Sequence, residues 1–291
     1  MLGEPGRCAE GHRGIAVPFC FVQFHRNPGE PCVVLDRGMW IDLNADVGES
    51  FGAYSWGHDA GLMRSITSAN VAAGFHAGDP SVARATIRTA REHGVAVGAH
   101  PGYPDLAGFG RRAMTVTPAE AEDFVLYQIA AVSGIAAAEG LRLHHVKPHG
   151  ALYNAAATDT ALAGAIVRAI TAFDRRLVLV GPPGSVLLHA GATAGLRVAA
   201  EGFADRAYAA GGALVARSHA GAVIHETAEV VARGVRMATG KVVTTVDGST
   251  LTLDADTICI HSDTPGADHI AARLRVALEE AGVTVRPFHQ P

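Results

Sequence analysis

Cysteine, aromatic residues and charge are all scarce in this 291-residue chain, and each scarcity removes a class of protein. Of four cysteines, Cys8, Cys20 and Cys32 crowd into the first few dozen residues, and only Cys259 lies in the patterned body. A disulfide-stapled fold is excluded, and a reducing compartment, the cytoplasm, is the expectation. No uninterrupted apolar run approaches the roughly 20 residues that cross a bilayer, so no membrane partner is expected. With a net charge of −4 and no dense Lys/Arg run interleaved with aromatics, nucleic acid is not an expected partner either.

Several catalytic signatures are missing too. Gly240-Lys241 is followed by Val242 instead of Ser or Thr and has no glycine at the required distance upstream, so it is not a phosphate-binding loop. There is no HExxH or CxxC, and Cys259 falls within a strand rather than beside a base. Gly181-Pro182-Pro183-Gly184-Ser185 could offer amides to an anion, but an ordinary strand-to-helix turn accounts for it equally well.

What the chain has is small apolar residues, 34 glycines, and an alternation of short strands and helices beginning at Met39-Trp40-Ile41. Residues 1–38 show no such period and read as a disordered or non-native extension, with Met39 as the functional start; a signal peptide is the alternative. Strands are predicted at Ser68 to Ala73, Val95 to Ala99, Leu143 to Lys147, Leu177 to Val180, Leu196 to Ala199 and Thr257 to His261. Helices are predicted at Ser81 to His93, from Thr117-Pro118-Ala119-Glu120 to Gly140, and at Thr160 to Phe173, Ser185 to Ala194, Glu226 to Ala238 and Ala267 to Ala281. Val242 to Val246 and Thr250 to Leu253, joined through Asp247-Gly248, read as a hairpin, and Val283 to Arg286 as an extended tail. About seven βα units can close a parallel barrel, so residues 39–291 are expected to form a single barrel domain, with an open doubly wound sheet as the alternative.

Polar clusters close four of these strands, where parallel α/β folds gather their sites. Asp42, Asn44 and Asp46 fall on one side of the first strand, either as a working set or with Asp42 and Asn44 bonded to nearby backbone and only Asp46 and Glu49 at the mouth. Asp46 is the favoured base or ligand. His76 and His100 end successive strands, about 5 Å apart in the pairing direction, and with Asp46 could hold a divalent metal or move protons. Lys147, before Pro148, could neutralise an anion or stabilise charge on an attacked carbonyl; pairing with Asp46 is the alternative. His149 follows it, Asp205, Arg206 and Tyr208 lie beyond a later strand, and His261 and Asp263 end the last one.

Together the motifs Ile41 to Ser50, Asn70 to Pro80, Gly98 to Asp105, His145 to Asn154 and Glu201 to Arg206 resemble the LamB/YcsF family, in order and over nearly the whole body. The family usually has cysteine at Ala73, which argues against a required thiol there, and glycine at Ser262. The resemblance implies a TIM-like (β/α)7 barrel of the glycoside hydrolase/deacetylase type. It also implies service as the A subunit of an ATP-dependent 5-oxoprolinase, which with subunits B and C cleaves 5-oxo-L-proline to L-glutamate using ATP as co-substrate, Mg being a plausible companion of the ATP. Asp46 would act as base, His76 and His100 as orienting groups and Lys147 as charge stabiliser, with Asn44, Glu49, His149, Asp205, Arg206 and His261 binding substrate. The alternatives are a stand-alone metal-dependent amide or N-acetyl-sugar deacetylase, and a non-catalytic, carboxylate-binding regulatory protein of the same complex.

Overall fold

Strong local signals begin most helices of the structure, a computed structural model that describes residues 39–288 except 263. The predicted extension 1–38 and Asp263 lie outside the described residues. In chain order the elements are β1 (Trp40–Val47), α1 (Asp59–Leu62), β2 (Ser68–Ala72), α2 (Pro80–His93), β3 (Ala96–His100) and α3 (Pro118–Ala138). Then come β4 (His145–Val146), α4 (Gly150–Ala156), α5 (Thr160–Phe173), β5 (Val178–Gly181), α6 (Val186–Thr193) and β6 (Arg197–Phe203). The chain closes with α7 (Thr227–Gly240), β7 (Val242–Thr244), β8 (Thr250–Thr252), β9 (Thr257–His261), α8 (Ala267–Glu280) and β10 (Thr284–Val285).

Asp79 caps α2 by accepting from the amides of Ser81 and Val82, and Gly94, at φ +67°, ends it in the left-handed conformation that glycine tolerates. Thr117 and Glu120 form the expected reciprocal capping box at α3. By length and composition α3 could cross a bilayer, but in the fold it packs on α5 and buries Phe124, Val125, Ile129 and Val132.

The sheet runs β10-β1-β2-β3-β4-β5-β6-β9, and β9 also pairs with β1. With β10 outside the ring, seven parallel strands among the described residues close a barrel, as expected, and the β1–β9 register from Asp42↔Thr257 to Asp46↔His261 excludes the open sheet. The helices cover its outside, which is why the strands read as near-continuous small apolar runs. The hairpin β7–β8 forms as expected, apart from the barrel.

Some boundaries differ from expectation. The strand at 143–147 shrinks to His145–Val146, while β6 runs on to Phe203, so Glu201 sits on the strand rather than after it. The tail adds β10 beside Trp40 and Ile41 of β1. At the amino-terminal end of the barrel Val178, Val180, Ala199 and Phe288 form a small apolar cluster with Trp40 against it. Above this plug the interior turns polar.

Candidate active site

Period-two alternation sends Asp42, Asn44 and Asp46 of β1 into the barrel, and the neighbouring strands set what each one meets. Asp42 is level with Thr257, Asn44 with Ser68 and Cys259, and Asp46 with Asn70 and His261. All three are buried. Asp42 accepts from the hydroxyls of Thr67 at 2.6 Å, Ser68 at 2.7 Å, and Thr257. Burial nonetheless pushes its carboxyl up to about 6, against those donors. Asn44 donates to Glu201 Oε1 at 3.0 Å and Thr257 Oγ1 at 2.7 Å. The two residues therefore bond side chains on other strands, not neighbouring backbone, and Asn44 lies beneath the cavity rather than on its wall.

Lys147 reaches the centre of this set. Its Nζ lies 2.7 Å from Glu201 Oε1, 2.9 Å from Asp46 Oδ1, 3.1 Å from Cys259 Sγ and 3.3 Å from Asn44 Oδ1. Burial alone would lower its pKa, but the opposing charges of Asp46 and Glu201 hold it well above the usual lysine value. Asp46 answers in kind: burial would raise it, yet His100 and Lys147 hold it well below the carboxylate range. The pairing alternative for Lys147 is thus present, and it extends to a second carboxylate.

Glu201, Asn70 and Cys259 are participants that the sequence does not single out. Asn70 donates to Asn44 Oδ1 at 2.7 Å and Asp46 Oδ1 at 2.8 Å, which leaves its own Oδ1 to accept from His145 Nε2 at 2.7 Å. Cys259 is buried within β9, as expected; its neighbour Lys147 is an ammonium rather than a base, and burial pushes the thiol well above its ordinary value. Two buried atoms in this region, Glu201 Oε2 and the Tyr153 hydroxyl, have no hydrogen-bond partner among the described residues.

The histidines converge on the other side of Asp46. His100 Nδ1 donates to the Lys147 carbonyl at 2.8 Å, placing its Nε2 3.4 Å from Asp46 Oδ2 and 2.9 Å from His149 Nδ1. His149 Nε2 in turn donates to the Phe109 carbonyl at 2.9 Å. His76 is fully buried, stacks on His149 with ring centroids 3.8 Å apart, and makes no hydrogen bond among the described residues; its Nε2 is 3.8 Å from Glu49 Oε1. Burial lowers the pKa of both His76 and His149. Gly102 and Gly110 leave these rings room, since a Cβ would lie 2.6 Å from His76 Nδ1 at the first and 2.9 Å from His149 Cδ2 at the second. Glu49, His76, His100 and His149 form a buried group whose donor atoms all lie within 4.8 Å of one another, near enough to hold a metal ion.

His261 donates from Nδ1 to Asp205 Oδ2 at 2.8 Å and stacks on Phe203. Burial acts to raise the pKa of Asp205, but His261 and Arg217 hold it below the usual range. Asp205 therefore orients His261 from behind. Arg206 donates to the carbonyls of Val215 and Ala222, tying down the segment after β6.

A cavity of about 370 Å³ opens at the carboxyl ends of the strands, lined by Asp46, His100, Lys147, His149, Arg206 and His261 among others. Those six were singled out by the sequence. Arg111, Tyr153, Phe203 and Arg217 also line it and carry no comparable sequence signal.

The family model described as the LamB/YcsF family matches residues 41–291. The A subunit of 5-oxoprolinase from Symbiobacterium thermophilum is 55% identical over 245 residues, covering 84% of this chain and 94% of that protein. That of Thermococcus onnurineus is 53% identical over 250 residues, with 86% and 98% covered. Among solved structures, a lactam utilization protein from Thermus thermophilus superposes with a TM-score of 0.82 at 50% identity, covering 86% of this chain and all of that one. The chain belongs to the LamB/YcsF family.

Proposed function

We propose that this chain is the A subunit of an ATP-dependent 5-oxoprolinase and opens the lactam of 5-oxo-L-proline to give L-glutamate, working with subunits B and C in the cytoplasm. The observation that carries this reading is the chemistry of the cavity. Its wall combines the guanidinium groups of Arg111, Arg206 and Arg217 with the acid–base groups Asp46, His100 and His261. A small cyclic amide bearing a carboxylate matches both sets, its anion toward the arginines and its amide toward the proton-transfer groups.

Ring opening requires water to lose a proton as it adds to the lactam carbon, and the ring nitrogen to gain one as the C–N bond breaks. Asp46 is held ionised, with Oδ1 taken by Lys147 and Asn70 and Oδ2 left as the proton acceptor. His261, held through Nδ1 by Asp205, would give the departing nitrogen a proton from Nε2 when it carries both ring protons, the Asp205 carboxylate balancing that imidazolium. Lys147 keeps the buried carboxylates charged and offsets negative charge as it builds on the substrate oxygen. An amide is a poor electrophile, and ATP, with Mg, would turn its oxygen into a better leaving group. That phosphoryl chemistry is assigned to the complex as a whole. Phe51, Tyr54 and Trp56 are exposed on the loop after β1, an apolar surface on which a partner protein would seat.

The test is a 5-oxoproline-to-glutamate assay with and without ATP and the two partner subunits. Glutamate is expected only from the complete mixture, and Asp46→Asn is expected to lower turnover at least 100-fold while the far-ultraviolet circular dichroism is unchanged. A complete complex that releases no glutamate sinks the proposal. Turnover by this chain alone without ATP would instead favour a metal-dependent amide hydrolase, the reading that the Glu49, His76, His100 and His149 cluster supports.

A further inference from the structure

Two main-chain carbonyls create a conflict at the edge of the cavity. A carbonyl can only accept, so the Lys147 carbonyl fixes the proton of His100 on Nδ1, and the Phe109 carbonyl fixes that of His149 on Nε2. In their neutral forms the two remaining nitrogens, His100 Nε2 and His149 Nδ1, then aim lone pairs at each other across 2.9 Å. A carboxylate oxygen, Glu49 Oε1, stands 3.8 Å from His149 Nδ1, and its companion Oε2 is steadied at 3.2 Å by the Ser262 hydroxyl. Beside them His76, fully buried, has neither ring nitrogen in a hydrogen bond with any described residue. Leaving such a group unpartnered is costly unless something else fills the role.

We infer that Glu49, His76, His100 and His149 bind one divalent transition-metal ion of the zinc type, as a site of three imidazoles and a carboxylate. Ligand atoms about 2.1 Å from a tetrahedral ion stand about 3.4 Å apart. The spacings here, from 2.9 Å to at most 4.8 Å, bracket that distance, so the wider pairs draw in when an ion binds. Imidazole-rich donors with one carboxylate suit Zn, Co, Ni, Fe or Mn over Mg or Ca, which take oxygen. The carbonyls that fix the tautomers of His100 and His149 are the outer partners that ligating histidines ordinarily have. His76 lies nearly parallel to His149, at 7°, so its ring must turn for both to point at one ion. Only packing holds it, and no hydrogen bond need break.

A second cluster, Asp46, Cys259 and His261, has comparable spacing. It is not the site, because the Lys147 ammonium already occupies it, 2.9 Å from Asp46 and 3.1 Å from Cys259. The ion at the first cluster would sit one imidazole away from Asp46 and supply Lewis acidity to an oxygen of a molecule in the cavity.

The inference is independent of the substrate, and its test uses no turnover. The full chain, stripped with a chelator, is titrated with Zn²⁺ by calorimetry and with Co²⁺ by absorption spectroscopy. One ion per chain is expected, with affinity at least about tenfold weaker in Glu49→Gln, His100→Gln and His149→Gln. His93→Gln and His189→Gln, on helices away from the cluster, should bind as wild type. The Co²⁺ spectrum of the wild-type chain should show visible ligand-field bands without thiolate-to-metal charge transfer. This readout stands even if a variant fails to fold. No bound ion, unchanged affinity in the three folded variants, or a charge-transfer band placing the ion on Cys259 would each overturn it.

Discussion

Lys147 carries one positive charge into an interior that also buries Asp42, Asp46 and Glu201. Buried pairs of this kind add modest net stability when complete, but removing one partner leaves uncompensated charge and costs roughly 3–5 kcal/mol. Lys147→Met should therefore be destabilised by about that amount near neutral pH in urea denaturation. The deficit should shrink in acid. Asp46 is held below its ordinary pKa, so the stability it contributes is present above that value and lost as pH falls through the folded one. Equal stability of variant and wild type at neutral pH would refute the compensating role. Asp42 has the opposite sign. Its folded pKa is raised from 3.8 to about 6, so the folded state binds the proton more readily in that window and the group's contribution falls as pH rises through it, by on the order of 3 kcal/mol. Asp42→Asn keeps the acceptor oxygen for Thr67 and Ser68, loses the one that takes the Thr257 hydroxyl, and removes the slope. Its stability relative to wild type should rise between about pH 4 and pH 6 and then level off; a pH-independent difference would contradict the assignment.

At the scale of elements, the middle of β3 has to pass a buried imidazole. Gly98 is level with His145 of β4, and a Cβ on Gly98 would lie 2.2 Å from both Cδ2 and Nε2 of the His145 ring. That ring is fixed by Asn70, which also holds Asp46, so it has nowhere cheap to go. Gly98→Ala should cost at least about 1–3 kcal/mol by overpacking and lower turnover as well, because the displaced His145 disturbs the Asn70 bridge to Asp46. A wild-type melting temperature would show that the barrel yields there. Element positions were largely legible in advance: the Thr117 and Glu120 capping box and the Asp247-Gly248 turn carry their signals within a few residues. The short helix α4 was not, since Pro148 and Gly150 flank His149 and read as a loop, yet the chain turns helical at once. The full length of β6 was equally hidden, because its pairing with β9 depends on residues more than fifty positions away.

For the whole molecule, one end of the barrel is covered by the segment after α8. β10 adds to the edge of β1 at Trp40 and Ile41, and Phe288 is 1% exposed against Val178, Val180 and Ala199, with its ring near His144 and His145. It plugs the end of the barrel opposite the cavity. Truncating a buried phenylalanine costs about 3–5 kcal/mol, so Phe288→Ala should lower the melting temperature by roughly 10 °C while the cavity chemistry is retained. A loss of activity without a loss of stability would argue that the plug shapes the site directly.

The sequence by itself determined the alternation of strands and helices, the barrel as one of two foldings of that alternation, and a set of strand-end residues of which Asp46, His100, Lys147, His149, Arg206 and His261 do line the cavity. These follow from local periodicity and from the rule that parallel strands deliver their carboxyl ends to one face. Only the tertiary structure decided that Lys147 is clasped by Glu201 as well as Asp46, that Asn70 bridges Asn44 and Asp46, that Asp205 stands behind His261, and that His76 is left without a described partner beside Glu49. Each of those relations joins residues on different strands or loops, and none has a spacing in sequence, because closing β9 onto β1 sets which side chains share a level inside the barrel.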